Sequence, residues 1–261
     1  MSITQYKHEG YIMEFYKKIT RKVLLAVLFI AWGSILQLSA VEKQKIEKKN
    51  YLITNVKVFD GYTKTLKSGP VLIEGNRIKA VGSNAKKMDN MNVIDGSGGI
   101  LMPGLIDAHW HAMMSNIALN TAMTADIGYI NHVAAEGVSQ TLARGFTTVR
   151  DAGGPTFGLK RAIDEKVIKG PRIYPSGAII SQTSGHGDFR PATAVPENSA
   201  TPLSYMEREG FFILADGVPQ VLKRTREVLR QGASQLKVMA GGGVASDFDP
   251  LDVTHNILMK S

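Results

Sequence analysis

The sequence predicts an α/β fold in which a small β-rich segment precedes a run of parallel βα units. Three observations carry this. Residues 51–102 break into short apolar runs separated by glycine-bearing turns, the pattern of a small β-structure. After Pro103 short apolar runs alternate with amphipathic stretches that end at glycines, which argues for parallel βα units. The chain has 261 residues, 44% of them hydrophobic, enough for one large domain or two smaller ones around a buried core.

The first element is a leader. "KKITRK" (Lys17 to Lys22) precedes the apolar "VLLAVLFIAWGSIL" (Val23 to Leu36), and "QLSA" ends at Ala40. A basic region, an apolar stretch of about 14 residues and a small residue before a polar segment describe a secretory signal peptide. A membrane helix needs about 20 apolar residues, so residues 1–40 are expected to be removed during export. The mature protein would then begin near Val41, be secreted or periplasmic, and meet a membrane only in transit. The basic region is long, and Met13 offers a more usual start.

Residues 41–102 are read as a small N-terminal β-domain. "YLITNVKVFD" (Tyr51 to Asp60) alternates like a strand, and "GPVLIEGNRIKAVG" (Gly69 to Gly82) is two apolar runs around the tight turn "EGNR", a hairpin. "MNVIDGSGGILMPG" adds another strand and a glycine-rich connection. Four or five strands are expected in all.

Residues 103–261 carry the βα units. Strands are expected at Leu105–His111, Thr147–Asp151, Arg172–Ile180 and Gln235–Met239. Between them, "TADIGYINHVAAEGVSQTLARG" (Thr124 to Gly145), "FGLKRAIDEKVIKG" ending at Gly170, and "VPQVLKRTREVLRQG" ending at Gly232 read as helices. "SQTSGHGDFRPATAVPENSATP" is a long polar loop, a length that in a compact domain points to function.

Composition removes several classes of function. No cysteine means no thiolate metal site, disulfide, cysteine nucleophile or lipid-anchored N-terminus. The net charge is +8, but residues 1–40 contribute +3 and "VEKQKIEKKN" (Val41 to Asn50) +2, leaving +3 for the rest. No basic stripe with interleaved aromatics remains, so nucleic acid is not an expected partner.

Of six histidines, two stand one residue apart in "LMPGLIDAHWHAMM" (Leu101 to Met114). On a strand, period two puts Asp107, His109 and His111 on one face, with both imidazoles near the C-terminal end. Neutral imidazoles so placed suit one half of a site for a divalent first-row metal. Spacing alone equally allows two ordinary half-buried histidines. In "SQLKVMA" the same alternation puts Gln235, Lys237 and Met239 on one face and Leu236 and Val238 on the other. An ammonium group has no lone pair to give a metal, and by itself Lys237 reads as a solvated strand-end lysine.

These residues carry a family resemblance. "MPGLIDAHWH" at the end of a first barrel strand, preceded by "VLIEGNRIKAVG" and "VIDGSGGILMPG", resembles the amidohydrolase superfamily. "GFTTVRDAGG", "SGHGD" and "LKVMAGGGVAS" resemble its imidazolonepropionase-like and Xaa-Pro dipeptidase branch, and the likeness runs from about Tyr51 to Asp252. It implies a (β/α)8 TIM barrel beside a small β-sandwich, with the site at the C-terminal ends of the barrel strands. It further implies that His109 and His111 hold one divalent metal, zinc by type, and that a carbamylated Lys237 bridges to a second. Such metals acidify water for attack on a C–N bond of an amide, dipeptide or cyclic amide. His186, in a mobile "SGHGD" loop, would meet the substrate carbonyl or its oxyanion, or be a loop histidine without a role. Asp151 is expected to organise the site, and Asp188 has a less defined part.

The sequence also departs from the family. Two further histidines and an aspartate that the family takes from later strands have no counterpart before Ser261, and His255 follows Lys237 too closely to be one of them. About four βα units are therefore expected. Such a half-barrel would expose a strand edge, so the expected activity is that of a truncated and inactive hydrolase. The alternative is a non-catalytic remnant that binds or assembles with other chains, and a homo-oligomer is compatible with either.

Overall fold

The computed structural model describes residues 49–196 and 200–242. The leader, residues 197–199 and the segment from 243 that contains His255 lie outside the described residues. The chain divides between Leu101 and Met102 into two units.

The N-terminal unit holds β1 (Asn50–Thr54), β2 (Lys57–Val58), β3 (Lys67–Ser68), β4 (Val71–Glu74), β5 (Arg77–Val81), β6 (Asn92–Asp95) and β7 (Ile100–Leu101). One sheet runs β5-β4-β1-β6 and a second β3-β2-β7. The expected hairpin is β4–β5, with Glu74 opposite Arg77 and only Gly75 and Asn76 in the turn. Gly75 has φ 61°, the left-handed value that a tight hairpin demands at its first turn position and glycine takes without strain. Leu52, Leu72 and Ala85 make a small core. Three of the seven strands are two-residue pieces, below the length at which alternation shows in a sequence.

The C-terminal unit holds β8 (Leu105–Trp110), α1 (Leu119–Thr124), α2 (Ile127–Ala143), β9 (Phe146–Asp151), α3 (Phe157–Asp164), β10 (Arg172–Pro175), β11 (Ile179–Ser181), α4 (Tyr205–Arg208), β12 (Phe212–Leu214) and α5 (Gly217–Arg230). β8, β9 and β10 are parallel in the order β10-β9-β8. Asp126 caps α2, its carboxylate accepting from the Gly128 and Tyr129 N–H groups. Ile130, Ala134 and Val138, four residues apart, are buried with Val149 of β9 and Ile173 of β10. Each large apolar side chain in that seam is worth about 1.5–3 kcal/mol, and α2 is thereby locked across the sheet.

α3 stops at Asp164 rather than running on toward Gly170. Lys166 adopts φ 62°, its N–H donates to the Ile163 carbonyl, and the Val167 N–H donates to the Ala162 carbonyl. This is a Schellman closure with lysine where glycine is usual. Gly170 is small for another reason: a side chain there would press on Ile163 and Val138.

The expected strand Arg172–Ile180 is broken in two. Gly177 has φ 70° and lies against Phe157, where a Cβ would be 2.8 Å from the ring. The chain turns there, and β11 pairs in parallel with β12 instead. The expected strand Gln235–Met239 is a single bridge, Val238 to Ile180. Around it the Ile180 N–H donates to the Lys237 carbonyl at 2.9 Å and the Met239 N–H to the Ile180 carbonyl at 3.0 Å. The result is a mixed α/β unit whose sheets, among the described residues, stay open rather than closing into a barrel. Among the same residues no helix is long and apolar enough to cross a membrane.

Candidate metal centre

The site forms where β8 ends. The Asp107 carboxylate accepts the N–H of His109 at 2.9 Å, and the register against β9 shifts between Asp107 and Trp110. Three steps along β8 therefore match two along β9, a bulge of the kind that re-aims side chains. Asp107 is thereby engaged with the backbone of its own strand. The two rings nevertheless converge, with centroids 5.4 Å apart and planes at 52°.

Lys237 joins them. Its Nζ lies 3.4 Å from His109 Nε2, brought there by the bridge between Val238 and Ile180. Alternation along this segment is kept, with Gln235, Lys237 and Met239 half-buried and Leu236 and Val238 exposed. His111 is the more enclosed imidazole, and its Nδ1 is buried without a hydrogen-bond partner. Burial first, then the neighbouring His109 and Lys237, lowers its pKa against the opposing pull of the Gly153 backbone, and favours the neutral ring.

Asp151 sits beneath this cluster, fully buried. Its Oδ1 accepts the Ala112 N–H at 2.8 Å and its Oδ2 the Thr156 hydroxyl at 2.6 Å. Burial pushes its pKa up to about 6, against the opposing pull of the Thr156, Ala112 and Gly153 hydrogen bonds. Gly153 completes the floor: a side chain there would overlap Ile179 and reach the His111 ring.

His186 occupies a separate loop, and that loop is tied rather than loose. Ser181 Oγ accepts the Gly187 N–H at 3.0 Å, and Asp188 accepts the Ser184 N–H at 2.8 Å. Arg190 grips Asp188 with two bonds of 2.7 Å. Burial would raise the Asp188 pKa, but the Arg190 and Ser184 hydrogen bonds outweigh it and the pKa is lowered. Thr183 is fastened to Asp216, at the start of α5, through both its N–H and its hydroxyl. His186 Nδ1 is buried without a partner, and Gly187 packs close to Met239. Among the described residues no hydrogen bond links His186 to His109, His111 or Lys237. Beside the loop lies an open groove of about 330 Å³, lined by Thr183, Ser184, Asp188, Arg190, Pro191 and Ala194.

The donor set fits part of a metal centre. Two imidazoles converge, and the orphaned His111 nitrogen is a buried polar atom that a ligand would satisfy. Among the described residues no group of three or more His, Asp or Glu stands together. Several supporting residues carried no motif in the sequence. Thr156 and Gln235 are two, and only the shared face of Gln235 and Lys237 hinted at the second.

Comparison with known proteins places the chain. The profile of the amidohydrolase family matches residues 100–256. The chain is 34% identical over 197 residues to ochratoxinase from Aspergillus niger, covering 70% of this chain and 40% of that protein. A crystal structure of a prolidase complexed with N-methylphosphonate-L-proline is matched with a TM-score of 0.72 and 37% identity, over 79% of this chain and 50% of that one. A Xaa-Pro dipeptidase with bound methionine in the active site is matched with a TM-score of 0.63 and 27% identity, over 76% of this chain and 48% of the other. The chain thus spans half or less of the length of these relatives.

Proposed function

Because the chain belongs to the amidohydrolase family, we propose that His109, His111 and Lys237 are its share of a divalent-metal centre for hydrolysing a C–N bond. The parent architecture in this proposal is a (β/α)8 barrel, of which this chain supplies about four βα units. The single observation that carries the metal reading is the convergence of His109 and His111, with a buried, unpartnered nitrogen on His111.

His109 and His111 would hold the cation, and zinc is among the divalent metals that imidazole donors suit. A cation held there supplies Lewis acidity toward a carbonyl oxygen and acidifies water. Lys237, as an ammonium 3.4 Å from His109 Nε2, opposes that cation. Reaction of its neutral amine with carbon dioxide would form a carbamate and release a proton, turning the opposing charge into an anionic donor. His186, flanked by glycines and with Nδ1 unpartnered, is suited to donate a hydrogen bond to the scissile carbonyl or its oxyanion. Ochratoxinase, prolidase and Xaa-Pro dipeptidase among the relatives support a small amide or dipeptide as the substrate class.

A second reading rests on the two-imidazole count among the described residues: a protein that binds or assembles without turnover. Hydrolysis of Xaa-Pro dipeptides and N-acyl amino acids, with zinc supplied, separates the two. Turnover that disappears in His109→Ala and His111→Ala supports the hydrolase. Metal binding with no turnover on any substrate of the class supports the second reading.

A further inference from the structure

We infer that Asp151 is a positioning residue that sets the His109–His111 pair against Lys237. The inference rests on the metal reading for its purpose, but on geometry for its substance.

Asp151 reaches both sides of the cluster. Through its side chain it takes the N–H of Ala112, the residue next to His111, at 2.8 Å. That bond fixes the backbone just past the end of β8, two residues beyond the pairing of Trp110 with Asp151 that follows the bulge. The other carboxylate oxygen is held by the Thr156 hydroxyl at 2.6 Å, so the carboxylate cannot swing. Both Asp151 and Thr156 are fully buried. Around them the Ala152 N–H donates to the Trp110 carbonyl at 2.7 Å, a second tie to the end of β8.

Through its main chain Asp151 serves the other side. Its carbonyl accepts the Gln235 side-chain amide at 3.1 Å, and the same amide donates to the Tyr174 carbonyl at 2.9 Å. Gln235 lies two residues before Lys237 and shares its half-buried face. One residue therefore anchors the segment carrying His111 by its carboxylate and the segment carrying Lys237 by its carbonyl. Outer-shell residues that orient metal ligands typically change metal affinity about 10–100-fold when removed.

The test compares wild type, Asp151→Asn and Asp151→Ala by two readouts. The first is the imidazole ¹H–¹⁵N NMR spectrum of metal-free protein, which does not depend on the metal reading. The second is the affinity for Zn²⁺ alone. Asparagine keeps an acceptor for Ala112, and its amide can donate to Thr156 Oγ1, whose own hydrogen can turn to the Gly154 carbonyl 3.2 Å away. We expect Asp151→Asn to retain the His111 resonances and the affinity. Asp151→Ala should shift or broaden His111 while leaving His132, an exposed histidine of α2, unchanged, and weaken zinc binding about tenfold or more. Should Asp151→Ala fail to fold, Thr156→Val, which keeps the Asp151 bond to Ala112 but removes the clamp on Oδ2 together with the hydroxyl's contact to the Gly154 carbonyl, should displace His111 in the same sense by less. Unchanged His111 resonances in the alanine variant, or in Thr156→Val if the alanine variant is lost, overturn the inference. His111 displaced in a protein that binds no zinc upholds Asp151 as the positioning residue and removes the metal reading instead.

Discussion

Replacing Asp151 by Asn should change how stability depends on pH, and the size follows from the burial of one carboxyl. Asp151 is fully buried, and burial raises its pKa from 3.8 to about 6. The folded protein thus holds this proton more tightly than the unfolded chain does. The stabilisation from the bound proton is fully present below pH 3.8, declines as pH rises through the window to about 6, and is gone above it. Two pKa units correspond to about 3 kcal/mol. The Asp151→Asn side chain carries no proton to lose, so wild type minus variant should fall by about that amount between pH 4 and 7. Urea unfolding followed by the fluorescence of Trp110, at matched pH values from 4 to 8, measures the difference. Parallel stability curves for the two proteins across that window would refute the reasoning, because they would mean Asp151 titrates alike in folded and unfolded chains.

Other expectations follow from local structure. Lys166→Gly should raise the unfolding free energy by roughly 0.5–1 kcal/mol, because a left-handed lysine costs about 1–2 kcal/mol and glycine's extra unfolded entropy returns part of it; a thermal melt with no upward shift counts against the Schellman closure. Ser204→Ala should cost about 1 kcal/mol, since Ser204 and Glu207 form a reciprocal capping box at α4, and an unchanged urea midpoint would show the box contributes nothing. Reading residues 1–40 as a signal peptide predicts that N-terminal sequencing of exported protein begins near Val41, whereas an intact leader on cytoplasmic protein would contradict it.

Much of this architecture is legible in the sequence where one local signal acts alone. The β4–β5 hairpin follows from Gly75 between two apolar runs, and α2 from its apolar spacing with Asp126 in front. The sequence misleads where a local side-chain bond competes with the period. Asp107 caps the His109 N–H and creates a bulge that period two does not encode. Lys166 closes α3 in a conformation that lysine does not advertise, and Gly177 breaks a strand whose apolar content runs straight through it. β12 and α4 are too short for periodicity, although "SYME" (Ser204 to Glu207) carried the capping-box spacing. At the site, the His109–His111–Lys237 cluster was foreseeable from alternation and resemblance. The roles of Thr156 and Gln235 were not, because each depends on partners 5 to 84 residues away that only the fold brings near.

The most direct test of the central claim is X-ray absorption at the zinc edge of the chain loaded with one equivalent of Zn²⁺. Two imidazole nitrogens at about 2.0–2.1 Å, falling to one in either His109→Ala or His111→Ala, is the result this structure predicts. A zinc environment that is unchanged when both histidines are replaced would contradict it.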